Sequence, residues 1–233
     1  MIGIFSKTSD SNFVEATGLA GLDFIILDQE HGIISNEKLL DHVRAAKVSN
    51  LNSFVRVPYL SANHIGKALD SGAEGVMVPN ISNEDEAKKA IQFAKFYPHG
   101  TRGVCRFVKA AKFGTQDKSE YFTSENNKTL ILQVEGLEGI QNLDSILAVE
   151  GVDYIFIGPY DLSQALGLPG EVYHPHVLEE IEKIIITSKN KNKKIGIFTD
   201  TQEGLSKYKA LGVDMIAYSV DINIYLNALK SIL

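Results

Sequence analysis

The chain has 233 residues, 44% hydrophobic and 22% charged, with one cysteine, no tryptophan and a formal net charge of -6. That composition suits a sizeable globular core and excludes a disordered chain, and an acidic balance without a basic stripe argues against a nucleic-acid partner. A lone Cys105 can make no internal disulfide and has no adjacent base. No stretch approaches the ~18 apolar residues of a membrane span, and the N-terminus lacks a signal-peptide pattern, so a cytoplasmic protein with no membrane partner is expected.

Eight short apolar runs punctuate the chain: Ile2–Phe5, Phe24–Leu27, Phe54–Val57, Gly75–Val78, Leu130–Val134, Tyr154–Ile157, Ile195–Phe198 and Met215–Tyr218. They are rich in Ile and Val and alternate little, as strands buried on both faces do. Helical spacing lies between them. Ser82-Asn-Glu-Asp85 reads as a capping box ahead of Ala87, Ala90, Ile91 and Ala94; Val177, Ile181, Ile184 and Ile185 repeat the pattern, and Leu226, Leu229 and Leu233 end it. Eight strand–helix units need about 29 residues each, which the length supplies, so the expected fold is one (β/α)8 barrel domain over 1–233. An open doubly wound sheet shares the alternation and stays open at this point. The long segment Arg102–Asn127, with Arg106, Lys109, Lys112, Tyr121 and Phe122, reads either as an elaborated βα loop or as a rim element near bound anions.

A barrel's active site lies at the C-terminal strand ends. Asp28, Glu30 and His31 follow the second run, Arg56 ends the third, Gln133 and Glu135 close the fifth, Gly158, Pro159, Tyr160 and Asp161 follow the sixth, and Asp200 follows the seventh. Glu135 and Asp161 end consecutive strands. They are either helix caps or ligands of one hard cation such as Mg²⁺ or Mn²⁺. Asp28 beside His31 suggests a carboxylate orienting an imidazole base. Arg56, at a buried strand end, needs an anion, either an internal Asp or a substrate oxygen. The turn Gly158–Ser163 offers backbone N–H groups at a helix start. This set suits a small 2-oxo acid whose enolate must be stabilised.

Asp23-Phe-Ile-Ile-Leu-Asp-Gln-Glu-His31, Val55-Arg-Val-Pro58, Gly75-Val-Met-Val-Pro-Asn80, Arg102-Gly-Val104, Gln133-Val-Glu135 and Gly151-Val-Asp-Tyr-Ile-Phe-Ile-Gly-Pro-Tyr-Asp-Leu-Ser163 together resemble the HpcH/HpaI-type pyruvate-dependent class II aldolases. The resemblance covers nearly the whole chain in order. It implies a TIM barrel of the phosphoenolpyruvate/pyruvate type, a divalent metal (Mg²⁺ or Mn²⁺, with Co²⁺ as a further candidate) and retro-aldol cleavage of a 4-hydroxy-2-oxo acid to pyruvate and an aldehyde. By motif position, Glu135 and Asp161 would hold the metal and Arg56 would meet the 2-oxo oxygen. His31, oriented by Asp28, would serve the acid–base step. Gln133, Gly158 and Pro159 would line the pocket, the N–H groups of Tyr160 and Asp161 would hold the pyruvate carboxylate, and Asp70 would support the site near a subunit boundary. A trimer or hexamer is implied, with the Ile222–Leu233 tail packed on a neighbour. The chain departs from the family at Gly32-Ile33, where many members have Ala-Pro, at Tyr160, where a small residue is commoner, and in having no Trp near the pocket mouth.

Other readings share the fold. A 2-oxo-acid decarboxylase forms the same enolate, and a citrate-lyase-β-like CoA-ester lyase would use the same metal. A Schiff-base aldolase needs a desolvated lysine, for which Lys7 is the nearest candidate. A barrel that only binds a metabolite is the non-enzyme alternative.

Overall fold

All eight apolar runs form strands in the structure, a computed structural model describing residues 1–233. The strands are β1 (Ile2–Ser6), β2 (Phe24–Asp28), β3 (Asn52–Arg56), β4 (Gly75–Val78), β5 (Thr129–Gln133), β6 (Tyr154–Ile157), β7 (Lys194–Thr199) and β8 (Met215–Val220). They pair in parallel in chain order and β8 closes on β1, so the sheet is a closed barrel and the open-sheet alternative is excluded. The crossover helices are α1 (Ser11–Leu19), α2 (Asn36–Val48), α3 (Ala62–Asp70), α4 (Glu84–Ala94), α5 (Lys118–Asn126), α6 (Leu137–Gln141), α7 (Leu143–Leu147), α8 (Pro159–Ala165), α9 (Pro175–Asn190) and α10 (Gln202–Ala210), with α11 (Asp221–Lys230) at the end. No helix is long and apolar enough to cross a membrane.

Strand side chains alternate, so each strand sends one set inward and the other toward the helices. The outward set, including Ile25, Leu27, Val55, Leu132, Ile155 and Ile197, packs with α-helical residues such as Ile65, Ala90 and Ile181 into the larger core. The inward set is Phe5, Phe24, Ile26, Phe54, Met77, Ile131, Tyr154, Phe156, Met215 and Ala217. Burying each large side chain of this kind contributes about 1.5–3 kcal/mol. Aromatic rings dominate the interior. Phe5 meets Phe156 edge-on with centroids 6.0 Å apart, and a Cβ at Gly196 would overlap the Phe156 ring, so the glycine makes room for it.

Local signals hold with small shifts. The cap of α4 is Asn83, whose side chain accepts from the Glu86 N–H at 3.0 Å, while Glu86 Oε2 accepts from the Ser82 N–H at 2.8 Å. The capping box is therefore real but sits one residue later than the Ser82 reading. His174 caps α9, its Nδ1 accepting from the His176 N–H.

The long segment is the larger correction. It follows α4, which runs from the barrel mouth back toward the strand starts. It is therefore an αβ connection at the closed end of the barrel, not a rim element near bound anions. There a kinked 3₁₀ segment (Lys109–Gly114) and α5 enclose a small core of Phe96, Ala111 and Tyr121. Arg102 is buried against it, 2.6 Å from Asp70 and 3.0 Å from Glu125, with its guanidinium 4.6 Å from the Phe96 ring centroid.

The last helix contrasts with the others. Beyond Asp221 every residue of α11 is exposed, among them Ile222, Ile224, Tyr225, Leu226 and Leu229. Asp221 itself is buried. Its carboxylate accepts from Ser6 Oγ at 2.8 Å and from the Lys7 and Thr8 backbone N–H groups, joining the end of β1 to the end of β8.

Candidate active site

The inward ladder of each strand turns polar where it reaches the mouth. Two residues past Phe5 stands Lys7, past Ile26 Asp28, past Phe54 Arg56, past Phe198 Asp200, and past Ala217 Ser219; Ile131 is followed by Gln133 and then Glu135. Period two therefore delivers these side chains to one place. Most of them border a cavity of about 470 Å³, Asp28 and Glu135 lying just behind its wall; it is lined by Lys7, His31, Arg56, Gln133, Gly158, Pro159, Tyr160, Asp161 and Asp200, with a floor of Phe5, Phe156 and Phe198 and a β8-side wall of Ser219, Val220 and Asn223. That volume lies within the range of small-molecule sites, about 300–1,000 Å³.

Asp28 and Arg56 are register partners on β2 and β3. Arg56 Nε donates to Asp28 Oδ1 at 3.0 Å and one terminal nitrogen donates to Oδ2 at 2.8 Å, while the other terminal nitrogen lies 2.9 Å from Glu30. Phe5 carries the guanidinium on its face, 4.8 Å from the ring centroid. Burial pushes the Asp28 carboxyl up, but the paired Arg56 outweighs it and holds Asp28 below the usual carboxylate range. Burial dominates for Glu30 and raises it despite Arg56. The guanidinium is thus held by two carboxylates where it borders the cavity.

The expected Asp28–His31 pair does not form. Asp28 accepts from the backbone N–H of His31 at 3.2 Å, and the imidazole stands largely exposed, with Glu30 Oε2 its nearest carboxylate oxygen at 3.9 Å. The register partner Arg56 takes the carboxylate that the sequence spacing assigned to the imidazole. Asp70 lies at the closed end of the barrel on Arg102 and does not reach this chain's cavity.

Glu135 is buried to 2% exposure, and its carboxyl is pushed up to about 8, first by burial and then by the charge of Asp161. Gln133 Nε2 donates to Glu135 Oε2, while Gln133 Oε1 is buried without a partner. A Cβ at Gly158 would overlap Glu135 Oε2, so only glycine leaves this carboxylate its space. Two mutually repelling carboxylates beside an orphaned amide oxygen fit a hard, oxygen-loving divalent cation. No cluster of three or more His, Cys, Asp or Glu side chains gathers to hold an ion, so such a cation would draw its other ligands from water or substrate.

Sequence reasoning singled out neither Glu30 nor Asp200 as a site residue, and it treated Lys7 only as a Schiff-base candidate. Lys7 and Asp200 border the cavity by the two-residue period, a signal present in the chain once Phe5 and Phe198 are recognised as facing inward, and Glu30 joins the site through Arg56. The Lys7 ammonium lies 3.7 Å from Asp28. A Schiff base would need a free amine in apolar surroundings, which this lysine lacks.

Fold and mouth together define an α/β barrel with a charged cavity at the C-terminal ends of its strands. Residues 1–228 match HpcH/HpaI aldolase/citrate lyase, and the chain belongs to that family. It is accordingly a carbon–carbon lyase. A 5-keto-4-deoxy-D-glucarate aldolase from Citrobacter koseri is 34% identical over 232 residues, covering 99% of this chain and 90% of the relative. The crystal structure of a family protein from Burkholderia cenocepacia J2315 superposes with a TM-score of 0.94 at 30% identity, covering 99% of this chain and 92% of that one. An HpcH/HpaI aldolase from Desulfitobacterium hafniense DCB-2 gives 0.90 at 29% identity, with 99% and 92% covered.

Proposed function

We propose that this chain, working as one barrel domain in the cytoplasm, reversibly cleaves a 4-hydroxy-2-oxo acid to pyruvate and an aldehyde with the help of Mg²⁺, Mn²⁺ or Co²⁺. The observation that carries the reading is Glu135, a buried carboxylate lifted to about 8 beside Asp161 at the mouth of the barrel. Glu135 and Asp161 would hold the ion. When bound, it supplies Lewis acidity toward the 2-oxo oxygen.

The protein groups divide the remaining work. Arg56, held rigid by Asp28 and Glu30, presents its free edge to the oxygen that becomes the enolate, and being already in position it needs no reorganisation as charge develops. The orphan N–H groups of Tyr160 and Asp161, at the start of α8, receive the substrate carboxylate, with Gly158 and Pro159 shaping the turn. Gln133 lines the pocket and steadies Glu135. His31, on the exposed side, takes the proton of the 4-hydroxyl as the C3–C4 bond breaks and returns it in the aldol direction. The exposed apolar residues of α11 are suited to cover by a second copy of the chain, which supports a homo-oligomer, a trimer or hexamer by resemblance.

The test is an aldol screen with pyruvate, each of the three metals and a panel of aldehydes, with products identified. Metal-dependent carbon–carbon bond formation that stops in chelator is expected. Undiminished turnover in chelator, or pyruvate appearing only from oxaloacetate, would overturn the reading.

A further inference from the structure

The cavity has two unlike sides. Over β2, β3, β5 and β6 stand the groups assigned above to the pyruvate half. Over β7 and β8 stand Asp200, Ser219 and Asn223, with Tyr160 reaching across. The Tyr160 hydroxyl donates to Asp200 Oδ2 at 2.7 Å, and the Tyr160 ring packs against Phe198 with centroids 6.2 Å apart. Asp200 Oδ1 makes no bond within the chain and, the residue being exposed, is available to a ligand. Ser219 Oγ donates to Asn223 Oδ1 at 3.1 Å, which leaves the Asn223 amide N–H groups free. This side therefore offers a carboxylate acceptor and neutral polar groups, and no cation.

The cations elsewhere in the cavity already have carboxylates beside them. Arg56 serves two carboxylates, and Lys7 lies 3.7 Å from Asp28. Five carboxylates, Asp28, Glu30, Glu135, Asp161 and Asp200, stand around Lys7 and Arg56. A divalent ion still leaves one negative charge in excess before the pyruvate carboxylate enters. A second substrate carboxylate would face that excess with only Lys7, already beside Asp28, to meet it, whereas a hydroxyl would find Asp200 as an acceptor.

We propose that the charge of Asp200 sets the aldehyde half of the specificity, so that the chain takes neutral hydroxyaldehydes and disfavours aldehydes bearing a carboxylate. This rests on the aldolase reading above. It also separates this chain from the curated relatives, which are named for a keto-deoxy derivative of the sugar diacid glucarate.

The experiment uses pairs of equal carbon count, glycolaldehyde against glyoxylate and glyceraldehyde against tartronate semialdehyde, each added to pyruvate with Mn²⁺. The wild type should favour the neutral member of each pair by about tenfold or more in kcat/KM, and Asp200→Asn should shrink that ratio by about tenfold, mainly through KM for the acidic aldehyde. Asp200→Ser, at the same exposed position, should do likewise. Tyr160→Phe removes the hydroxyl but keeps the charge and should retain the preference. A wild type that prefers the acidic aldehydes overturns the inference. So does a loss of preference in Tyr160→Phe equal to that in Asp200→Asn, because the pair would then act only as a brace. Deuterium exchange into the pyruvate methyl group of the wild type reports on the parent reading separately. Exchange without aldehyde discrimination sinks this inference alone, and no exchange with any of the metals sinks both.

Discussion

Two buried arginines sit at opposite ends of the barrel in nearly the same surroundings. Arg56 is clamped by Asp28 and Glu30 over the ring of Phe5, and Arg102 by Asp70 and Glu125 over the ring of Phe96. Both satisfy the demand that a buried charge be paired. They differ in what lies next to them. Arg102 is walled in by a turn, a short helix and Tyr121, its two terminal nitrogens paired with carboxylates and only its Nε left without a partner. Arg56 borders a cavity, and close behind its wall lies Glu135, a buried carboxyl pushed up by burial and by Asp161 and with no ion pair of its own. A paired arginine is therefore not evidence of function. An arginine fixed at the edge of a space where another charge remains uncompensated is.

The sharpest break of this comparison is at Glu135. Glu135→Gln keeps the shape and the contact with Gln133 but removes half of the cation site, and pyruvate release should fall by about 10³-fold or more. Steady-state kinetics over a metal titration check it; activity within tenfold of wild type would put Glu135 outside the chemistry. The two arginines come next. Arg56→Lys preserves charge but loses the fork, and should lower kcat/KM by about 10²-fold with little change in melting temperature. Arg102→Ala strands two carboxylates beside an apolar core and should cost about 3–5 kcal/mol of stability, while the fraction that remains folded keeps its kcat. Denaturant melts run alongside kinetics separate the two. If Arg102→Ala instead lowers kcat in fully folded protein, the division between the ends fails.

The smallest expected effect is a slope with pH. Burial and Asp161 raise Glu135 from 4.5 to about 8, so between those values the native state holds a proton that the unfolded chain has released. Unfolding then sheds a proton, and the stability this group contributes, full below pH 4.5, is lost as pH rises toward 8. Metal-free wild type should lose melting temperature between pH 5 and 8 relative to Glu135→Gln, and adding Mn²⁺ at pH 7 should displace about one proton and flatten the slope. Parallel curves for the two proteins would contradict the buried, cation-free carboxylate.

The fold was legible because barrel strands write themselves as short unbroken apolar runs, and all eight were recovered with shifts of one or two residues at their ends. The candidate site was partly legible. Arg56, Gln133 and the Gly158–Asp161 turn do meet at one cavity, with Asp28 and Glu135 packed behind them, since strand ends in a parallel barrel share one rim. Pairing within the rim was not. His31 follows Asp28 by three residues in the chain, but Arg56 faces it across the sheet, and register between strands is a long-range property that local spacing does not encode. The Arg102–Asn127 segment failed for a related reason. Proximity to a strand motif in sequence says nothing about which end of the barrel an element occupies until the direction of the preceding helix is counted.

Asp221 binds the first strand to the last across 215 positions of chain, and the residue it helps to position, Lys7, borders the cavity. The seam between β1 and β8 is therefore the longest loop the chain must close, and it runs beside the cavity. A partly folded chain with seven strands in register would possess Glu135, Asp161 and Arg56 and still lack a finished vessel to hold substrate. Competence arrives with the final stitch.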